Sequence, residues 1–157
     1  MLSLQEISDR LEIMMLLDRY GGAIDRVDME LLDTVFTPDA WIDYTAFVID
    51  FKGPYPEVRR RLKEGLSLSI GHQHIMCNKE IWLDGDTAKG RILCLNPMMR
   101  PETDAGGRPC VGFHGLWYLD DYVRTPDGWR IKTRVEERCF SHNFPSDMVI
   151  PRPMPRA

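Results

Sequence analysis

Apolar residues recur along the first helix-length stretch at Leu4, Ile7, Leu11, Met14, Leu17 and Ile24, in steps of three and four with one wider gap. That spacing predicts an amphipathic helix, and Ser3 with Glu6 stands at capping-box distance at its start. Gly21 and Gly22 weaken its last turns and let it bend or close up against a neighbour. Residues 28–36 read as a second, short helix, capped by Asp28 and ended ahead of Pro38. Residues 40–51 have strand character, with Trp41, Ile42, Tyr44, Phe47, Val48, Ile49 and Phe51, and close at Gly53-Pro54. A third helix, basic on its outer face, spans residues 56–69.

From His72 the period changes. Four strand-like stretches follow, over residues 72–83, 87–99, 110–124 and 129–142. They are separated by turn chemistry: Asp84-Gly85-Asp86, the Gly106-Gly107 loop, and Thr125-Pro126-Asp127-Gly128. Helices first and a long antiparallel meander second predict an α+β domain, with helices packed on one face of a curved sheet. The tail from Phe144 carries Pro145, Pro151, Pro153 and Pro155 and reads as an extended arm. The expected organisation is a single domain over residues 1–143 and a proline-rich arm over 144–157.

Composition narrows the function classes. A chain of 157 residues supports one ordinary domain. Twenty Lys and Arg against 24 Asp and Glu leave a net charge of −4, no footprint for nucleic acid or an anionic membrane. No apolar run approaches the ~20 residues of a membrane span. Cys77, Cys94, Cys110 and Cys139 lie far apart, without a C-x-x-C pair or zinc spacing, and read as reduced thiols of a cytoplasmic protein. The opening MLSLQEISDRLE has no basic region ahead of an apolar one and does not read as a secretory leader. No metal set, P-loop, Rossmann glycine pattern or G-x-S-x-G elbow is present, so the expected chemistry is acid–base catalysis without metal or cofactor.

Three segments carry a family resemblance: RYGGAIDRVDMELLDTVFTPDAWIDY over 19–44, HIMCNKEIWLDGDTAKGRILC over 74–94, and YVRTPDGWRIKTR over 122–134. In their order and spacing the chain resembles the SnoaL-like branch of the nuclear transport factor 2-like superfamily over nearly its whole length. The resemblance implies a cone-shaped α+β barrel, three N-terminal helices packed on a strongly curved mixed or antiparallel sheet. That fold hosts dehydratases, isomerases, cyclases and non-catalytic subunits, so function has to come from the site. Asp25 and His74 fall where scytalone dehydratase, hexachlorocyclohexane dehydrochlorinase and bile-acid 7α-dehydratase carry an Asp–His pair that removes a proton. Tyr20 and Asp25 keep the Tyr-x4-Asp spacing of the bile-acid enzyme, and Tyr44 stands where scytalone dehydratase has a substrate-polarising tyrosine.

Departures from those enzymes are informative as well. Tyr20 replaces the dehydrochlorinase's lysine, which removes support for a halide-leaving mechanism with an ammonium helper. Met98 takes the place of scytalone dehydratase's second histidine, and Leu116 and Tyr118 the place of its Ser and Asn. The scytalone substrate itself is therefore not expected.

Read as chemistry, an imidazole with an ordinary pKa of about 6.5 is the natural base near neutral pH. A carboxylate on its Nδ1–H fixes the tautomer and stabilises the imidazolium. Taken alone, His74 also reads as a packed core histidine and Asp25 as a helix-terminal carboxylate. Tyr20 and Asp25 lie ~140° apart on an ideal helix and would flank a pocket. His114, Leu116 and Tyr118 share one strand face suited to a cavity, with Phe113, Trp117 and Leu119 on the other. Tyr20 and Tyr44 read as donors to a substrate oxygen or as ordinary half-buried tyrosines. Tyr20 or His114 reads as the group that assists departure of water, a packed histidine being the other reading of His114. His72 reads as an exposed loop residue and His142 as surface. Arg134 either stabilises a leaving anion or pairs with Glu136 or Glu137, the pairing being the favoured use. Met14, Met15, Met76, Met98 and Met99 with Trp41, Phe47 and Trp82 offer a soft apolar set, most of it core packing, with a subset that includes Met98 and Trp41 expected to line the cavity.

The expected function is a cofactor-independent lyase of the dehydratase type acting on a small hydrophobic cyclic molecule, a steroid, an aromatic or a polyketide-like ring. An isomerase or cyclase using the same dyad, and a non-catalytic binding or dioxygenase β-subunit-like scaffold, are the alternatives. The expected partner beyond the small molecule is the chain itself, as a homo-oligomer, a trimer ahead of a dimer.

Overall fold

The protein is described by a computed structural model, which covers residues 1–67, 70–103 and 105–144. The expected arm from Pro145 onward lies outside those residues. In chain order the elements are α1 (Leu4–Asp25), α2 (Met29–Leu32), β1 (Phe36–Asp43), β2 (Lys52–Pro54), α3 (Tyr55–Leu66), β3 (Ile75–Asp84), β4 (Thr87–Thr103), β5 (Pro109–Thr125) and β6 (Gly128–His142). The α+β class and the helices-then-meander order are as expected. The strands form one six-stranded mixed sheet ordered β2-β1-β6-β5-β4-β3. β1 runs parallel to β6 and every other pair is antiparallel. The sheet is not closed: β2 and β3 are its edges, and α1 packs against both β3 and β6.

Ser3 caps α1 through the predicted box, its hydroxyl accepting from the Glu6 N–H while the Glu6 carboxylate accepts from the Ser3 N–H. The buried face of α1 differs from the predicted stripe. Leu4, Ile7, Leu11 and Met14 are exposed, as is Met15, whereas Asp9, Ile13, Leu16, Leu17, Tyr20, Ala23 and Ile24 face the sheet. Asp9 sets that rotation. Its carboxylate accepts from the Trp129 indole and pairs with Arg124 at 2.7 Å, which turns the helix's first half around a polar anchor.

The second helix is one turn long rather than nine residues. Asp28 caps it as predicted, accepting from the Leu31 N–H. Beyond it the chain enters β1, earlier than the predicted strand start at residue 40, because the Phe36 position pairs with Ile131 of β6. The register shifts between Phe36 and Trp41, and Pro38, which has no N–H to give a ladder, is exposed in that irregular stretch. β1 ends at Asp43; Tyr44 to Phe51, predicted as strand, form a compact turn instead, with Phe47 and Val48 N–H groups both donating to the Tyr44 carbonyl.

Alternation along the sheet decides which side chains reach the concave face. Ala88, Ile92, Cys94 and Asn96 of β4, and Leu116, Tyr118, Asp120 and Tyr122 of β5, are buried inward. On β6 the parity changes: Trp129 and Ile131 are buried, then Arg134 and Arg138. The pairing explains it, since Tyr122 faces Ile131 while Asp121 faces Thr133, leaving Lys132 as an extra residue. Trp41 and Trp82 point the other way and are 49% and 54% exposed.

Candidate active site

Gly21 is the position that lets α1 reach the sheet where the site forms. A Cβ there would stand 3.1 Å from the His74 carbonyl oxygen, tighter than most real contacts. The helix ends four residues later at Asp25, capped by Arg26, and Val27 turns the chain away with φ 55°. A β-branched residue in that left-handed region is strained. The abrupt end leaves the Asp25 carboxylate projecting toward the start of β3.

There it meets His74. The Asp25 carboxylate accepts from the His74 backbone N–H at 3.0 and 3.1 Å and from ring Nδ1 at 2.8 Å. Hydrogen bonds to a charged group contribute about 1.5–3 kcal/mol each, so this contact also ties helix to sheet. With Nδ1 carrying the proton, the lone pair of neutral His74 sits on Nε2, which accepts from the Asn96 amide at 2.7 Å. Asn96 is only 7% exposed, and its Oδ1 is buried without a hydrogen-bond partner among the described residues. The His74 side chain is 9% exposed and that of Asp25 27%. Burial pushes the imidazole below its usual value, and the Asp25 carboxylate only partly offsets this. Burial acts on Asp25 in the opposite sense, but the His74 N–H groups win and hold its carboxyl below the ordinary range. The pair at neutral pH is therefore carboxylate and neutral imidazole.

Beside the dyad stand three phenols. Tyr20 and Tyr44 hydroxyls are 3.0 Å apart, and Tyr20 donates to Tyr118 at 3.3 Å. Tyr20 has one proton, so Tyr44 donates to it in turn, and the Tyr118 proton is left for Cys94 or for a ligand oxygen. Burial raises all three phenols above their ordinary value, which keeps them donors. Arg134 lies beneath, its guanidinium 4.1 Å from the Tyr20 ring centre and 4.0 Å from that of Tyr118. It pairs through two bonds, 2.7 and 2.6 Å, with Asp120. The expected pairing with Glu136 or Glu137 is not made, because the β5–β6 register sets Asp120 directly opposite Arg134.

These groups surround a cavity of about 250 Å³. Phe47, Val48 and Phe51 from the turn after β1, Leu62 and Leu66 from α3, and Met98 and Leu116 from the sheet make its apolar wall. His74, Asn96, Tyr20, Tyr44, Tyr118, His114 and Glu136 supply its polar points. His114 bonds the Ser141 hydroxyl through Nδ1 at 2.9 Å and stacks on Phe144, ring centres 4.0 Å apart. Burial, with Arg138 adding to it, lowers its pKa to about 4, so it is neutral at physiological pH. Phe144, assigned from sequence to the arm, folds over Gly112, where a Cβ would stand 2.5 Å from its ring.

Of the expected site residues, Tyr20, Tyr44, His74, Met98, His114, Leu116 and Tyr118 line the cavity, Asp25 stands behind His74, and Arg134 lies under the tyrosines. Trp41 does not belong with them: Ala40, Ile42 and Tyr44 take the inward positions of β1, which turns Trp41 to the opposite face. Met14, Met15 and Trp82 are likewise outside the cavity. His72, expected in an exposed loop, is partly buried, bridges to Met98 and contacts the Ile24 carbonyl through Nε2 at 3.1 Å. Asn96 and Glu136 are the polar cavity residues that sequence reasoning did not select, and Ile24, Val48, Phe51, Leu62, Leu66 and Phe144 the apolar ones. Among the described residues no group of three His, Cys, Asp or Glu side chains is arranged to hold a metal ion.

Known proteins share both sequence and fold with this chain. Uncharacterized proteins of Mycobacterium tuberculosis and Mycobacterium bovis are 51% identical over 140 residues, 89% of this chain and 92% of theirs. A scytalone-dehydratase-like protein from Novosphingobium aromaticivorans superposes with a TM-score of 0.78 at 18% identity, covering 96% of each chain. A hexachlorocyclohexane dehydrochlorinase superposes with a TM-score of 0.74 at 15% identity, over 91% of this chain and 93% of that one. At such identities the likeness establishes the fold alone. The family match runs through α1, the dyad and most of the sheet: over residues 5–135 the sequence fits the SnoaL-like domain, and the chain belongs to that family.

Proposed function

We propose that the protein is a cofactor-independent lyase of the dehydratase type, with His74 as base and Asp25 as the carboxylate that orients it. The observation carrying this reading is the 2.8 Å contact from His74 Nδ1 to Asp25, which leaves Nε2 as the proton acceptor on the cavity wall. A substrate bearing a C–H next to a carbonyl displaces the Asn96 amide from Nε2 and gives that proton to His74. Asp25 stabilises the resulting imidazolium. Tyr118, polarised through Tyr20 and Tyr44, donates to the carbonyl oxygen as negative charge develops there. The C–H electron pair forms the new C=C bond, and the hydroxyl on the neighbouring carbon takes a second proton from an acid of the cavity and departs as water.

A cavity of about 250 Å³ with a mostly apolar wall suits one or two fused rings better than a steroid. Two fold neighbours carry the names of a scytalone dehydratase and a hexachlorocyclohexane dehydrochlorinase, both names for eliminations, which supports the reaction class. The isomerase reading uses the same dyad and is separated by product mass, since elimination loses water and isomerisation does not. The contact between Asp25 and His74 and the open cavity speak against a purely scaffolding role. Self-association is part of the proposal: exposed Trp41 and Trp82 on the outer face of the sheet would be covered in a homo-oligomer, a trimer in preference to a dimer. A monomeric mass in solution would remove that part.

The test is turnover of a bicyclic β-hydroxy ketone. 3-Hydroxy-1-tetralone loses water to give 1-naphthol, and His74→Ala should lower its kcat by about 10³-fold or more while circular dichroism stays unchanged. Undiminished turnover by the variant would refute the assignment.

A further inference from the structure

Glu136 is the carboxyl of the cavity wall. The extra residue Lys132 in β6 reverses the strand's parity, so Arg134, Glu136 and Arg138 take the inward positions that Trp129 and Ile131 hold before it. Glu136 pairs with Tyr118 on β5, and Val135 beside it pairs with Asp43, the residue before Tyr44 on β1. Its side chain therefore emerges between two of the three phenols.

Its surroundings are those of a neutral acid. Among the described residues its carboxyl makes no hydrogen bond or ion pair; the Arg134 guanidinium on the same strand gives Nε and Nη2 to Asp120, and its Nη1 bonds nothing among those residues. The charged groups acting on it are Arg134 on its own strand and Asp43 on β1. Burial is the largest influence, Arg134 opposes it, and Asp43 reinforces it, so the pKa rises to about 8. The side chain retains some accessible surface only because it faces the cavity. An unpartnered polar group on an apolar wall costs stability unless a ligand meets it. His114 cannot fill the same role, being a neutral imidazole at pH 7.

We propose that Glu136 is the acid of the elimination, giving its carboxyl proton to the hydroxyl that leaves. This rests on the lyase reading and deepens it. As His74 Nε2 takes the C–H proton, that bond's electron pair becomes the new C=C bond. The C–O bond breaks with its pair on oxygen, and the Glu136 proton completes the water molecule. Imidazolium and carboxylate then return to their starting states by passing one proton through solvent, so substrate becomes alkene plus water with no net change in the protein. The substrate class follows: a neutral carboxylic acid assists a hydroxyl, which needs a proton to leave, whereas a departing halide needs none. The natural substrate is a hydroxylated cyclic ketone of one or two rings.

Two arms test this. The first needs no turnover: binding of 3-hydroxy-1-tetralone is compared with that of 1-tetralone in His74→Ala protein. One hydrogen bond to the hydroxyl makes the hydroxylated probe about 3–10-fold tighter, and adding Glu136→Leu abolishes the preference. A preference that survives Glu136→Leu, or none to begin with, overturns the proposal. The second arm is catalytic. Glu136→Gln keeps the shape but has no proton to transfer, so kcat for 1-naphthol formation falls by about 10²-fold or more with KM little changed. In wild type kcat declines above pH 8 as Glu136 ionises, and that alkaline limb is missing in the variant. If Glu136→Gln runs at the full rate while His74→Ala is dead, the acid assignment falls and the base stands. If His74→Ala is active, the underlying lyase reading falls.

Discussion

At the His74 end of the cavity every polar atom of the ring is engaged: Asp25 holds Nδ1 and Asn96 covers Nε2. At the Glu136 end the carboxyl is engaged by nothing on the described chain. Both groups are neutral at pH 7, for opposite reasons. Burial strips the proton from an imidazole and fixes it on a carboxyl, because in each case the charged form is the one that loses water. One largely apolar enclosure thus prepares a neutral base and a neutral acid on different walls, the charges of Asp25 and Arg134 lying behind its lining. The difference in wiring tells the roles apart. A base must present one nitrogen in one tautomer, so it needs an orienting partner, whereas an acid that donates to a ligand has to keep its proton unclaimed.

The largest break in this comparison is Asp25→Asn. An amide at residue 25 no longer requires Nδ1 to carry the proton, and the ring is free to turn Nε2–H toward the substrate. Turnover of 3-hydroxy-1-tetralone should fall by about 10²–10⁴-fold, with the Kd for 1-tetralone nearly unchanged. A loss confined to binding would mean that Asp25 shapes the site and does not orient the base.

Glu136→Gln sharpens the other end through stability. The folded carboxyl titrates near 8 and the unfolded one near 4.5, so the folded chain keeps a proton that the unfolded chain releases between those values. The Glu136 contribution to stability is therefore fully present below about pH 4.5 and is lost as pH rises toward 8, whereas carboxyls held low, such as Asp25, lose theirs as pH falls. Glu136→Gln removes that alkaline loss and should gain about 3–5 kcal/mol at pH 9, roughly 2–4 °C in Tm per kcal/mol, and about 1 kcal/mol or less at pH 5. Equal Tm differences at the two pH values would show that Glu136 is ionised throughout.

Asn96→Ala gives the smallest effect. The amide donates to the lone pair of neutral His74, so it favours the unprotonated ring. Its removal raises the imidazole pKa toward 6.5 and moves the acid limb of the pH–rate profile to higher pH, with a rate change of about tenfold or less at pH 8. An acid limb that stays in place would leave Asn96 a packing residue.

Much of this was legible in the sequence, and the exceptions have local causes. The capping box of Ser3 and Glu6, the cap at Asp28, the four long strands and the inward face of His114, Leu116 and Tyr118 all follow from short-range spacing. Gly21 and Gly22 signalled a close approach, and Gly21 makes it against His74. Asn96 was readable by the same alternation, since it continues the inward series Ala88, Ile92 and Cys94. Glu136 was not: carrying the parity of Trp129 and Ile131 forward turns Val135 inward and Glu136 outward, and only the pairing across β5 reveals the bulge at Lys132. The rotation of α1 was hidden for a similar reason. It depends on Asp9 finding Trp129 and Arg124, more than a hundred residues away.

The central claim, that His74 oriented by Asp25 removes a proton next to a carbonyl, can be tested without a leaving group. Proton NMR of 1-tetralone in D2O reads the exchange of its C2 hydrogens for deuterium. The wild-type protein should accelerate that exchange well above the buffer rate and His74→Ala should not. Exchange at the wild-type rate in His74→Ala, or no acceleration by wild-type protein that binds 1-tetralone, would contradict the account.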